Sequence, residues 1–169
     1  MIAPRRSLSI AAVLVVLATA WRLDAQAPKV TVVFDDPKRF TDVEDAGQRT
    51  DAGTKAILDD LGRFIRETAA RYLPADSSLT VRITDLDLAG EFEPWRGPQF
   101  ARFRVMTETY WPRIDLQFRL ADAQGRVVKE GKRSLSDPLY LTRSIRVEDE
   151  RLRYEKDLLN DWLRKELAG

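Results

Sequence analysis

Apolar residues alternate with polar ones in several segments after residue 28. Residues 30–34 are β-branched and aromatic and end at Asp35-Asp36-Pro37, which is typical of a strand followed by a turn. Residues 79–83, 101–105 and 114–120 alternate with a period of two, which predicts strands with one buried and one solvated face. The residues Asp122-Ala123-Gln124-Gly125 predict a hairpin turn into a less regular strand, residues 126–132, at an edge of the sheet.

Two other segments carry apolar residues at helical spacing. The first, residues 54–72, is ended by Pro74, and the second spans residues 148–167 with Asp149 and Glu150 near its N-terminus, where the helix dipole favours acidic groups. Each has an apolar stripe that predicts packing against a sheet. The stripes consist of Ile57, Leu61, Phe64, Ile65, Ala69 and Tyr72 in the first helix, and Leu152, Leu159, Trp162, Leu163 and Leu167 in the second.

The order of these elements is β-α-β-β-β-β-α, which predicts an α+β fold. We expect a two-layer sandwich, with a mostly antiparallel sheet of four or five strands and both helices on one face. The strand-helix-strand start predicts that the first two strands are parallel and joined by a right-handed crossover. Residues 26–169 are the length of one ordinary domain.

The N-terminus has the pattern of a signal peptide. Arg5 and Arg6 precede an apolar run over residues 8–20, and the small residues Ala25 and Ala27 follow. The apolar run is shorter than the ~20 residues of a membrane-spanning helix. We therefore predict that residues 1–25, or residues 1–27, are removed. The remaining chain is expected in the periplasm or outside the cell, without stable insertion in a membrane.

Composition excludes several kinds of chemistry. The leader contains Arg5, Arg6, Arg22 and Asp24, so its removal takes the 28 basic and 27 acidic residues to 25 and 26. This near-neutral balance predicts no nucleic-acid partner. The chain has no cysteine and no histidine, which excludes disulfides, Ser-His-Asp and Cys-His nucleophile systems and ordinary zinc sites. No cofactor is predicted.

The densest acidic segment contains Asp85, Asp87 and Glu91. Asp85 and Asp87, two residues apart at the end of a strand, are expected on the same side and can present oxygens to Ca²⁺ or Mg²⁺. The spacing does not match an EF-hand loop. The alternative is that these carboxylates cap turns and pair with arginines, and this alternative predicts no metal site. Paired carboxylates are also what glycoside hydrolysis requires.

Two further features are candidate contact surfaces. Trp95 and Arg96 lie in a proline-flanked loop, either as exposed partner contacts or with Trp95 folded over a sheet edge. The solvated sheet face is expected to carry four arginines able to bind an anionic ligand, or simply to form cross-strand ion pairs. These arginines are Arg82, Arg102, Arg104 and Arg119.

Several short strings together resemble one family. They are Val33-Phe34-Asp35-Asp36-Pro37, Phe40-Thr41-Asp42, Thr84-Asp85-Leu86-Asp87-Leu88-Ala89-Gly90-Glu91, Trp111-Pro112-Arg113-Ile114, Ser136-Asp137-Pro138-Leu139-Tyr140, Tyr154-Glu155-Lys156 and Asp161-Trp162. In this order the chain resembles exported bacterial proteins catalogued as domain of unknown function 3016. The resemblance implies export and a single domain, and it supplies no activity and no catalytic residues.

The sequence favours a non-enzymatic binding or assembly module of the cell envelope, with an envelope protein or an anionic ligand as partner. Two alternatives stay open, which are a small hydrolase that uses carboxylates and a structural subunit of an envelope complex. No catalytic residue is assigned.

Overall fold

Four strands and two long helices occur in the described part of the chain, which in this computed structural model comprises residues 27–45, 50–143 and 151–167. In chain order they are β1 (Lys29–Phe34), α1 (Asp51–Ala70), β2 (Ser78–Asp87), β3 (Arg113–Ala121), β4 (Val127–Ser136) and α2 (Arg153–Leu167). The predicted signal peptide and the predicted start of the second helix at residues 148–150 lie outside the described residues. No helix in the described ranges is long and apolar enough to span a bilayer.

The strands form one mixed sheet in the order β1-β2-β3-β4. β1 and β2 are parallel, as expected for strands joined through α1, and the other two pairings are antiparallel. The β3–β4 hairpin turns at Gly125, whose φ of 77° is in the left-handed region that favours glycine. The predicted α+β class is therefore confirmed, with the sheet mixed rather than mostly antiparallel.

The core lies between one face of the sheet and the two helices. Thr50 begins α1, because its hydroxyl accepts a hydrogen bond from Gly53 N at 3.0 Å and so caps the helix. The apolar stripes of both helices face the sheet as predicted. The most buried contributors are Ile57, Leu61, Ile65, Val81, Ile83, Leu116, Phe118, Leu159, Trp162 and Leu163.

The predicted strand at residues 101–105 is wrong. β2 and β3 pair directly with each other along their length, which leaves no position between them for another strand. Pro98 begins a 3₁₀ helix, Pro98–Ala101, and proline suits the first turn of a helix because it has no N–H to satisfy. Val105 makes only an isolated bridge with Glu91. Residues 88–112, which we term the β2–β3 connection, therefore form an excursion outside the sheet.

Candidate functional site

The acidic segment is engaged with neighbouring groups of the chain. Asp85 accepts hydrogen bonds from the backbone N and the hydroxyl of Thr41, both at 2.7 Å. Asp87 accepts from Arg113 Nε at 2.9 Å, and Glu91 accepts from the backbone N of Phe92 at 2.8 Å. In the described ranges no three carboxylates converge in a way that would hold a metal ion. Asp85 and Asp87 therefore contact Thr41 and Arg113, and Glu91 contacts the backbone of the next residue.

The face of the sheet opposite the two helices is called the open face. It carries two of the four arginines that the sequence predicted there. Arg82 forms an ion pair with Asp35 at 3.1 Å, and Arg119 lies opposite Thr80 on β2 and Glu130 on β4. Together with Lys132 on β4 they border a shallow depression of about 410 Å³. Arg82, Arg119 and Lys132 can contact an anionic ligand on this face. The acidic residues Asp35 and Glu130 lie next to these cations.

The other two arginines, Arg102 and Arg104, do not lie on that face, because the segment that carries them is not a strand. Arg102 is exposed in the β2–β3 connection. Arg104 is largely buried and forms an ion pair with Asp42 at 2.7 Å. It also donates to the carbonyls of Gly90 at 2.8 Å and Glu44 at 3.0 Å, so it fastens the connection to the segment after β1.

Trp95 and Arg96 occupy a loop that points its aromatic residues outward. We call residues 93–103 the aromatic loop. Trp95 is 71% exposed and Phe103 is 70% exposed, so Trp95 does not fold over a sheet edge. Arg96 binds Glu93 at 2.6 Å and lies 5.1 Å from the centre of the Phe100 ring. The backbone N of Glu93 donates to Phe100 O at 3.1 Å and joins the two sides of the loop.

A buried carboxyl group beside a cavity is a feature that sequence reasoning missed. Glu155, in the first turn of α2, is 2% exposed and accepts a hydrogen bond from the backbone N of Ala89 at 2.6 Å. Burial raises the pKa of Glu155 above its ordinary value, and the hydrogen bond from Ala89 opposes this shift. Glu155, Tyr154 and Arg104 lie on the wall of a cavity of about 440 Å³. A carboxyl group in this setting can hold a proton at a higher pH than a solvated one.

A buried ion pair lies nearby between the two helices. Lys156 is 1% exposed, and its Nζ lies 3.0 Å from Oδ2 of Asp60 on α1. The other carboxylate oxygen of Asp60 binds Arg63. Removing either partner of such a pair leaves an uncompensated buried charge, which strongly destabilises the folded state.

Four of the strings that carry the family resemblance meet in this region, namely residues 84–91, 136–140, 154–156 and 161–162. Glu155 joins the Asp-Leu-Ala-Gly-Glu string through Ala89, and the rings of Tyr140 and Tyr154 pack edge to face at 4.7 Å. Arg143 bridges Asp137 and Asp161, with an ion pair of 2.7 Å to each. Segments far apart in sequence therefore form one structural cluster around α2.

Comparison with known proteins gives a family match and a distant structural neighbour. No curated protein matches the chain. Among solved structures, the dodecamer of a PelC point variant from Paraburkholderia phytofirmans is 12% identical, with 85% of this chain and 87% of that chain covered. Its TM-score is 0.37, a likeness too low to support an inference. Residues 28–165 match the family described as "Protein of unknown function (DUF3016)". Since that match spans most of the chain, the chain belongs to this family.

Proposed function

We propose that this protein is a non-enzymatic binding module of the bacterial cell envelope that contacts a partner protein through the aromatic loop. The observation that carries the proposal is the exposure of Trp95 and Phe103, at 71% and 70%. Large aromatic side chains dominate the binding energy of protein interfaces, because they bury a large apolar area in a partner's pocket. The envelope location rests on the signal-peptide pattern of the N-terminus.

The loop is held in a defined conformation before any partner binds. The 3₁₀ helices Pro94–Arg96 and Pro98–Ala101 each begin with proline, which restricts the backbone. The Glu93–Arg96 ion pair and the contact of Arg96 with Phe100 fasten the loop from inside. A preorganised loop loses less conformational entropy on binding, which favours affinity.

The charges near the loop indicate the kind of surface it fits. Arg96 and Arg102 lie next to Trp95 and Phe103 in the sequence, and Arg102 is exposed. A complementary partner therefore presents an apolar pocket with carboxylates at its rim.

The proposal is tested by affinity capture from envelope extract with the chain lacking residues 1–25. Three baits are compared, which are the unchanged chain, the double variant Trp95→Ala/Phe103→Ala, and Val128→Ala. Val128 is a matched control because it is also apolar and 64% exposed but lies on β4. We expect the unchanged chain and Val128→Ala to retain the same protein, and the double variant to bind it at least about thirtyfold more weakly, as for loss of an interface hot spot.

All three baits are expected to melt at similar temperatures, since the two aromatic side chains contribute little to the core. Equal recovery of every bound protein by the double variant and the unchanged chain would contradict the proposal.

A further inference from the structure

Among the described residues, the outer edge of β4 is a long strand edge without a partner strand. β4 has ten residues and pairs with β3 alone in that part of the chain. No backbone hydrogen bond from elsewhere in the described chain reaches it, and the carbonyl of Lys132 accepts only from the side chain of Arg133 at 2.9 Å. No proline interrupts it. An edge of this kind presents free N–H and C=O groups to which another strand can pair.

The charged side chains along this edge are complementary to those on the same edge of a second copy. Glu130 and Lys132 lie on the open face of the sheet, opposite Arg119 and Gln117 of β3. Consider two antiparallel copies of β4 that place the two Gly131 residues opposite each other. Glu130 of each copy then lies opposite Lys132 of the other, on the same face, which forms two ion pairs across the contact.

The side chains on the other face of the sheet are also compatible with this register. β4 has a bulge between Lys129 and Val127, so the regular part of this register extends from Lys129 to Arg133. Lys129 and Arg133 of opposite copies also face each other. Each of them is already ion-paired with Glu166 of its own α2, at 2.7 and 2.5 Å, and this carboxylate reduces their repulsion.

From this free edge and its charge pattern we infer that the protein binds a second copy of itself through β4. The two strands are antiparallel with Gly131 at the two-fold axis, and the sheets of both copies become one continuous sheet. The contact leaves the aromatic loop outside it, since the loop belongs to the β2–β3 connection.

Sedimentation equilibrium of the chain lacking residues 1–25 measures the association. We expect a concentration-dependent dimer. Glu130→Lys and Lys132→Glu each turn two attractive contacts into repulsive ones and are expected to weaken the dimer about tenfold or more. The control Glu108→Lys makes the same charge change at an exposed site in the β2–β3 connection and should leave association unchanged.

The register itself is tested by mixing the two single variants. In a mixed dimer of Glu130→Lys with Lys132→Glu, one ion pair is the original one and the other has reversed polarity, so the mixture should associate as strongly as the unchanged chain. The double variant Glu130→Lys/Lys132→Glu should do the same by itself. Thermal melts confirm that each variant folds, and Lys132→Glu serves if Glu130→Lys does not. A monomer at all attainable concentrations, or a dimer that responds to neither variant nor mixture, overturns the inference.

Discussion

At the scale of single residues, Trp162 and Trp95 have opposite environments. Trp162 is 4% exposed and packs edge to face against Phe118, with ring centres 5.7 Å apart. Trp95 is 71% exposed at the end of a loop. The same residue type therefore stabilises the core at one position and is free for contact at the other.

We expect Trp162→Ala to lower the free energy of unfolding by about 3–5 kcal/mol, because it removes a buried ring and leaves a cavity. Trp95→Ala should change it by no more than about 0.5 kcal/mol. Trp162→Phe should cost less than Trp162→Ala, since Nε1 of Trp162 has no hydrogen-bond acceptor in the described part of the chain and its loss breaks no bond. Denaturant melts of the three variants measure these differences, and a benign Trp162→Ala beside a crippling Trp95→Ala would invert this assignment.

Glu155 makes the free energy of unfolding depend on pH. Burial raises the pKa of this carboxyl in the folded chain above its ordinary value of 4.5. The folded chain therefore holds the proton to a higher pH than the unfolded chain does. It follows that the contribution of Glu155 to the free energy of unfolding falls as the pH rises from about 4.5 through the raised pKa.

Glu155→Gln removes this dependence while keeping an oxygen that can accept from Ala89. We expect the free energy of unfolding of the variant, relative to the unchanged chain, to increase with pH above 4.5 and then to level off. Urea melts at a series of pH values measure it. If the curves for Glu155→Gln and the unchanged chain run parallel over the whole pH series, the pKa of Glu155 is not raised by folding.

At the scale of elements, the periodic patterns predicted both helices and the four strands of the sheet. They failed at residues 101–105, where Ala101, Phe103 and Val105 alternate with polar residues without belonging to a strand. Alternation records which side chains are apolar, and it does not record whether a neighbouring strand has a free edge. β2 and β3 occupy each other's edges, so this segment pairs with neither of them, and Val105 forms an isolated bridge with Glu91 instead.

The same error displaced part of the candidate site. Arg82 and Arg119 were placed correctly on the open face because their strands were. Arg104 was not, and its role in binding Asp42 arises from contacts between distant segments that no local pattern contains. Glu155 was missed for a related reason, because a glutamate in the first turn of a helix is normally solvated, and only the docking of Ala89 buries it.

The β2–β3 connection gives a prediction about Arg104. Arg104→Lys keeps the charge but loses the planar group that binds Asp42 and the carbonyls of Gly90 and Glu44 together. We expect it to lower the free energy of unfolding by about 2 kcal/mol, because the compact ammonium group does not reach all three acceptors and leaves a buried one without its hydrogen bond. Arg102→Lys, two residues away and exposed, should stay within about 0.5 kcal/mol. Urea melts compare the two, and equal shifts would mean that Arg104 does not fasten the connection.

At the scale of the whole molecule, the helices cover one face of the sheet and leave the other open. The open face, the free edge of β4 and the aromatic loop are three separate surfaces on one small domain. Each surface can be altered by substitutions that leave the core residues unchanged. The roles of the three surfaces can therefore be tested separately.

The N-terminal pattern predicts that signal peptidase cleaves the chain near residue 25. We expect the protein isolated from its native host to begin at Gln26 or close to it and to be recovered in the periplasmic fraction, because signal peptidase cuts after small residues such as Ala25. Mass spectrometry of fractionated cells determines both. Leu14→Arg, which interrupts the apolar run, should retain the uncut chain in the cytoplasm. Periplasmic or membrane material that still carries Met1 would rule this prediction out.

The position of α2 after α1 and the four strands has a consequence for how the molecule acquires its structure during synthesis. Chains leave the ribosome, and any translocation channel, with the N-terminus first. Until residues 153–167 emerge, Phe118 lacks the ring of Trp162, and Asp60 on α1 lacks the ammonium group of Lys156. The four strands and α1 are therefore complete in sequence before their core can close. We therefore expect the core between the sheet and the helices to close only after α2 has emerged.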